Sequence, residues 1–271
     1  MKPIFKYSGG KTKEISVIKN LMPDFYSRIV EPFAGSAAIS FYFEKPMVLS
    51  DIRENNIRTF AAIKSTDFEK VFYYVEWLKT LDQLTLKKEY YYQRDEMFDK
   101  CVDDVDVAKR WITIRQLCFS GMDRTNNKTG KFNAPFGWYD KFACSLTVAH
   151  HNLLQDAILI SDDYTMALTA SSINDFIFID PPYFERNSKY GGSYEDNKKF
   201  HIKIRDDLRT IKNDWMIVHI DCPLYRDIYK DFNINEKQFK YSQNFKGRDN
   251  TKSKVNHLYI TNYNKGLESL I

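Results

Sequence analysis

Residues 28–63 constrain the fold more than any other stretch. They open with Arg28-Ile29-Val30-Glu31-Pro32-Phe33, a short apolar run rich in β-formers. A small-residue turn follows, Ala34-Gly35-Ser36-Ala37-Ala38, and then Ile39 to Glu44 with helical character. Met47-Val48-Leu49-Ser50 reads as a second strand with Asp51 at its C-terminal end, and residues 55–63 read as another helix. Strand, tight turn, helix, strand and helix in that order begin a parallel α/β sheet. Strand signals return at 158–161, 176–180 and 215–220, with helices expected at 198–212 and 223–230. The alternating segments 237–245 and 255–263 flank a basic turn and read as an antiparallel hairpin. The expected fold class is α/β, with a mostly parallel sheet and a C-terminal antiparallel hairpin.

The texture changes between residues 64 and 147. Stretches such as 68–81 and 107–119 repeat apolar residues at helical spacing, and no strand of parallel-sheet type occurs there. A polar segment, 121–141, follows and reads as a loop or hairpin turned at Lys128-Thr129-Gly130. The expected division is a sheet domain of residues 1–63 and 148–271, interrupted by a helical subdomain of residues 64–147. A chain of 271 residues has the length for this, at about 150 residues per domain.

Composition narrows the function classes. With 43% hydrophobic residues the chain can bury a core, which rules out a disordered or fibrous protein. Mean hydropathy is −0.50, and no apolar run is long enough for a membrane span. The opening residues lack the apolar run of a secretory signal. Cys101, Cys118, Cys144 and Cys222 lie far apart with no CxxC pair, so reduced thiols in the cytoplasm are expected. His150 and His151 are adjacent and on a helix do not face one ligand, so no metal site is expected. The phosphate loop GxxxxGK[ST] does not occur. Net charge is +4, and the basic residues cluster. Residues 1–20 hold five lysines against one glutamate, and residues 236–254 hold six basic side chains against two acidic ones. That distribution permits a polyanionic partner without demanding one.

Two features stand at the C-terminal ends of expected parallel strands, where open α/β sheets bind ligands. In the first, the turn Phe33-Ala34-Gly35 lets backbone approach a ligand, and Asp51 at the next strand end can accept the hydroxyls of a ribose. Taken alone, these residues are better explained by an ordinary β-α turn with a surface carboxylate, because a single glycine is a weak signal. The second is Asp180-Pro181-Pro182-Tyr183, directly after Phe176-Ile177-Phe178-Ile179. Two prolines fix φ and remove two amide donors. A carboxylate, a free carbonyl and an aromatic face are thus held on one stiff turn. Such a set suits the grip of a planar amine, with Asp180 and a proline carbonyl accepting its hydrogens and Tyr183 stacking on the ring.

These residues resemble a known family. Asp180-Pro181-Pro182-Tyr183 resembles the DPPY motif of amino-group DNA methyltransferases, and Phe33-Ala34-Gly35 resembles their S-adenosylmethionine turn. Lys6-Tyr7-Ser8-Gly9-Gly10-Lys11 is similar to the K-[WY]-x-G-G-K start of Dam-like adenine methyltransferases. Lys131-Phe132-Asn133-Ala134-Pro135-Phe136-Gly137 resembles the F-N-x-P-F-G segment of their target-recognition region. The matches run from residue 6 to 183 in the family's order, the α arrangement of the D12 class. The resemblance departs at Ala37, where the family often has a second glycine.

The resemblance implies a class I S-adenosylmethionine-dependent methyltransferase sheet with an inserted target-recognition subdomain. The implied reaction is methyl transfer to adenine N6 of a flipped base in double-stranded DNA. Tyr7, Lys11, Phe33, Gly35, Asp51 and Asp180 are then the cofactor side, and Asp180, Pro181, Pro182 and Tyr183 the catalytic turn. Arg124, Asn126, Asn127 and Lys128 occupy the polar loop that could read base edges. Lys131, Lys246, Arg248, Lys252 and Lys254 suit phosphates. Cytosine N4 methylation, where Ser more often replaces the aspartate, and a DNA-binding module without catalysis are the alternatives. The resemblance also leaves room for a cognate restriction endonuclease as partner.

Overall fold

The computed structural model describes residues 1–126, 128–183, 194–241 and 253–266. Seven strands form one sheet: β1 (Ile29–Glu31), β2 (Met47–Ser50), β3 (Ile158–Ile160), β4 (Phe176–Ile179), β5 (Trp215–Ile220), β6 (Asn233–Tyr241) and β7 (Ser253–Thr261). Their order is β3-β2-β1-β4-β5-β7-β6. Strands β1 to β5 pair in parallel, and β7 runs antiparallel between β5 and β6. This is the expected mixed α/β sheet with an antiparallel C-terminal pair.

The helices are α1 (Ile15–Leu21), α2 (Ala38–Phe43), α3 (Glu54–Lys64), α4 (Phe68–Thr80), α5 (Gln83–Tyr91), α6 (Asp104–Leu117), α7 (Val148–Leu154), α8 (Tyr164–Ala170), α9 (Tyr194–Thr210) and α10 (Pro223–Ile228). Every residue of β2 and β4 is buried, because helices cover both faces of the parallel part. Side chains alternate between those faces. Val30, Val48, Ile177 and Ile217 join a cluster with α8, α9 and α10. Ile29, Phe176, Phe178 and Met216 pack with α1 and α2. Met47 and Leu49 of β2 join a third cluster that continues through Phe60, Val71, Leu86 and Trp111 to Phe132 and Phe136. The helices of residues 64–147 therefore share a core with the sheet.

Several boundaries differ from the sequence expectation. The C-terminal strands begin earlier, at Asn233 and Ser253 instead of 237 and 255. The polar start of β6 pairs along the buried residues Leu258 to Thr261, and that long register outweighs its weak β-propensity. Helix α9 begins at Tyr194, four residues before the expected 198, with Glu195 and Asp196 in its first turn facing the positive end of the helix dipole. Of the basic residues expected on the C-terminal hairpin, Lys246, Arg248 and Lys252 lie outside the described residues, whereas Lys254 is exposed on β7.

Candidate active site

The strand order reverses between β1 and β4, and this switch point is where an open α/β sheet leaves a crevice. Ile29 pairs with Phe176 and Val30 with Ile177, so the two strands end side by side. The turn after β1 and the Asp180-Pro181-Pro182-Tyr183 turn after β4 therefore flank one crevice, although well over a hundred residues separate them. A cavity of about 350 Å³ opens there. Tyr7, Lys11, Phe33, Gly35, Asp51, Asp180, Pro181, Pro182 and Tyr183 all line it. The volume falls in the range of small-ligand sites.

At one end the Lys11 ammonium lies 2.6 Å from Asp180 Oδ2 and donates also to the Gly9 carbonyl at 2.8 Å. The Tyr183 hydroxyl donates to Asp180 Oδ1 at 3.1 Å, and Lys11 sits 5.1 Å from the centre of the Tyr183 ring. The rings of His219 and His257 meet Tyr183 at steep angles, with centroids 6.1 and 6.0 Å away. Burial pushes the Asp180 carboxyl up from its ordinary range, and Lys11 offsets only part of that. Behind this group Glu14, 1% exposed, accepts from the Tyr259 hydroxyl at 2.6 Å and lies 2.9 Å from His257 Nδ1. Burial works to raise Glu14, but His257, Lys11 and Tyr259 together hold it below the usual range.

At the other end Gly35 adopts φ +52°, and a Cβ there would stand 2.9 Å from the Tyr7 ring. Its amide donates to Asp51 Oδ2 at 2.8 Å. Asp51 accepts further from Asn56 Nδ2 at 2.9 Å and from the Arg53 amide at 2.8 Å. Its carboxylate thus shapes the turn besides facing the cavity, and burial raises its pKa. Phe33 stacks on Tyr164 with centroids 5.4 Å apart, which gives the cavity an aromatic wall. Ala37 sits at φ +52°, the left-handed region where a glycine carries no penalty.

Sequence reasoning missed two carboxylates here. Glu31 lines the cavity, is 3% exposed, and accepts from the Ser40 amide at 2.8 Å. Burial lifts its pKa to about 7. An acidic residue closing an apolar strand was the available signal. Glu14 offered none, because its partners lie at the far end of the chain.

The family model described as D12 class N6 adenine-specific DNA methyltransferase matches residues 7–243. The chain belongs to that family. It is 34% identical to "Type II methyltransferase M.CviBI" of Paramecium bursaria Chlorella virus NC1A, over 97% of this chain and 100% of the relative. It is 27% identical to "Type II methyltransferase M1.LlaDCHI" of Lactococcus lactis subsp. cremoris, over 97% of this chain and 96% of that one. To the "DNA adenine methylase" of Escherichia coli (strain K12) it is 26% identical, over 97% of this chain and 96% of the relative. The protein is accordingly an adenine-specific DNA methyltransferase.

In this methyltransferase the polar segment after α6 is a hairpin, as the turn residues suggested. The Asn126 amide donates to the Lys131 carbonyl and the Asn133 amide to the Arg124 carbonyl, each at 2.8 Å. Three side chains expected to face DNA are engaged within the fold. Arg124 donates through Nε to Asn133 Oδ1 at 2.7 Å and through Nη2 to the Asn133 carbonyl at 2.8 Å. Asn126 Oδ1 accepts from the Lys128 amide at 2.9 Å and shapes the turn. Lys131 pairs with Asp99 at 2.8 Å. Lys128 is exposed, and Asn127 lies outside the described residues. Two of the five N-terminal lysines also depart from an open basic face, whereas Lys2, Lys13 and Lys19 are exposed. Lys11 is buried on Asp180, and Lys6 donates to the Gln116 carbonyl at 3.0 Å beneath the Tyr139 ring.

Proposed function

We propose that the switch-point cavity is where S-adenosylmethionine and a flipped adenine of double-stranded DNA meet. The observation that carries this reading is the shared wall: the Lys11–Asp180–Tyr183 group stands in the same cavity as the Gly35 turn and Asp51. The lining suits the ligand. A sulfonium cation would find the Asp180 carboxylate and the aromatic faces of Phe33 and Tyr164, with Asp51 accepting the ribose hydroxyls. When bound, S-adenosylmethionine supplies an electrophilic methyl group.

The chain's own residues prepare the nucleophile. The N6 lone pair of adenine is delocalised into the ring, so the amine reacts poorly until the nitrogen becomes pyramidal. Asp180 and the Pro181 carbonyl accept the two N6 hydrogens, which turns the lone pair toward the methyl. Lys11 keeps Asp180 ionised and fixed in direction. The proton that leaves N6 passes to the Asp180 carboxylate, whose basicity burial increases. Tyr183 offers a face for a base flipped out of the duplex. Positioning and preorganised charge supply the acceleration. Residues 64–147 supply the target-recognition unit, with the hairpin 122–136 as reader and Lys128, Lys131 and Lys254 near phosphates. The type II names of two relatives support a cognate restriction endonuclease as partner. No helix among the described residues is long and apolar enough to cross a membrane; the proposed place of action, beside its DNA substrate, is the cytoplasm.

Base-resolved mass spectrometry of DNA incubated with the protein and S-adenosylmethionine tests this reading. N6-methyladenine formed by the wild type, and absent with Asp180→Ala, is the expected result. N4-methylcytosine, or no methylated base from a folded wild type, overturns it.

A further inference from the structure

One largely buried ion-pair group touches both the cavity and the hairpin, and neither site accounts for it. Arg53 stands at the start of α3, just after Asp51, and lines the cavity. Its Nη2 lies 3.0 Å from Oδ2 of Asp123, a carboxylate only 6% exposed. Asp123 is the neighbour of Arg124 at the root of the hairpin. The other Asp123 oxygen faces Arg115 Nη1 at 3.4 Å, and Arg115 is fully buried. Arg115 lies 4.9 Å from the centre of the Tyr7 ring and donates through Nε to the Lys6 carbonyl at 3.1 Å. One carboxylate thus sits between two guanidinium groups. Arg53 reaches the cavity directly, and Arg115 reaches it through Tyr7, the ring against Gly35.

Stability alone is a weak reason for such a group. Desolvating Asp123 and Arg115 is costly, and well-packed apolar residues often serve as well or better. A charged tie does supply direction: a ligand that engages Arg53 or Tyr7 touches the groups that seat Asp123 at the base of the hairpin. We infer that Asp123, held by Arg53 and Arg115, is the positioning residue through which occupancy of the cofactor cavity and DNA reading by the hairpin are coupled. This inference rests on the functional reading above, which assigns the cavity to S-adenosylmethionine and the hairpin to DNA. Coupling of this kind is reciprocal, so each ligand must tighten the other by the same factor.

The test uses the full chain, S-adenosylhomocysteine as a cofactor that cannot react, and a duplex carrying a site the wild type methylates. Calorimetry gives cofactor affinity with and without DNA, and fluorescence anisotropy gives DNA affinity with and without cofactor. In the wild type each ligand is expected to tighten the other about fivefold or more. In Asp123→Asn, which keeps the shape and loses the charge, the factor is expected to fall toward one. Cofactor affinity without DNA should there stay within about threefold of wild type, a change too small for a collapsed site. Arg53→Gln tests the same link from the cavity side and decides the matter if Asp123→Asn does not fold. A wild-type coupling factor of one, or a factor kept in the folded variants, overturns the inference while leaving the functional reading intact. A wild type that binds no cofactor overturns both.

Discussion

Asp180 lives under opposed influences that its sequence position does not reveal. Burial favours the neutral acid, and the Lys11 ammonium at 2.6 Å favours the carboxylate. The net shift is upward, so the acceptor form is lost at a higher pH than an ordinary aspartate would require. Replacing Lys11 by Met removes the ammonium that opposes burial there. The acid limb of the kcat–pH profile should then move toward neutral pH; a limb that stays put, or moves acidward, refutes this arrangement. Asp180→Ala should lower turnover about a hundredfold or more with the fold kept, as measured by single-turnover methylation and circular dichroism. Glu31 gives a stability prediction with a definite sign. Its folded pKa of about 7 exceeds the 4.5 of an exposed glutamate, so folding binds a proton and stability declines as pH rises between those values. Glu31→Gln keeps the acceptor for the Ser40 amide without the ionisation. Its melting temperature should exceed that of the wild type above about pH 7 and lose that advantage below 4.5. Equal pH profiles for the two proteins would show that Glu31 is not held neutral.

The hairpin between α6 and α7 is the element whose function is least settled by its sequence. Arg124 clamps Asn133 across the two arms, so any role in reading bases is mixed with a role in holding the hairpin. Two variants separate these. If Arg124 reads a base, Arg124→Ala should relax one position of the methylated site, since a bidentate contact supplies about 1–3 kcal/mol of discrimination. Asn133→Ala, which removes one of the two acceptors, should leave the preference at that position unchanged. Methylation of a randomised site library decides between them: identical relaxation in both variants means that Arg124 acts through hairpin shape. Lys128 at the exposed tip should behave as a phosphate contact. Its alanine variant should weaken all sites evenly and make the salt dependence shallower by about one unit.

Across the whole molecule, the helices of residues 64–147 do not form a separate core. Val71, Leu86 and Trp111 pack in one cluster with Met47 and Leu49 of the sheet and with Phe60 of α3. A unit that cannot bury its apolar face alone should not fold alone. The full chain is therefore expected to melt in a single calorimetric transition, with equal calorimetric and van't Hoff enthalpies. A fragment of residues 64–147 should remain unfolded by circular dichroism. Two resolved transitions, or a cooperatively folded fragment, would show that residues 64–147 form an independent domain. The chain ends are tied as well: Glu14 from the N-terminal segment meets His257 and Tyr259 of β7 behind the Asp180–Tyr183 turn.

The local patterns were legible without a structure because each is contained in a few consecutive residues. Apolar runs of strand length, the small-residue turn at Gly35 and the proline-stiffened end of β4 carry their conformation in their own φ limits and periodicity. They are enough to place a ligand crevice at two strand ends and to suggest that the turn could hold a planar amine; that the amine is adenine N6 came from the family resemblance. Pairings between distant elements were not legible. Lys11 meets Asp180 at a separation of 169 residues and Glu14 meets His257 at 243, and both contacts depend on the order in which strands add to the sheet. Periodicity encodes which side of a strand is buried, not which strand lies beside it. The same holds for Lys131 and Arg124, whose charges suggested phosphates and bases but gave no sign of their partners in the fold, Asp99 and Asn133.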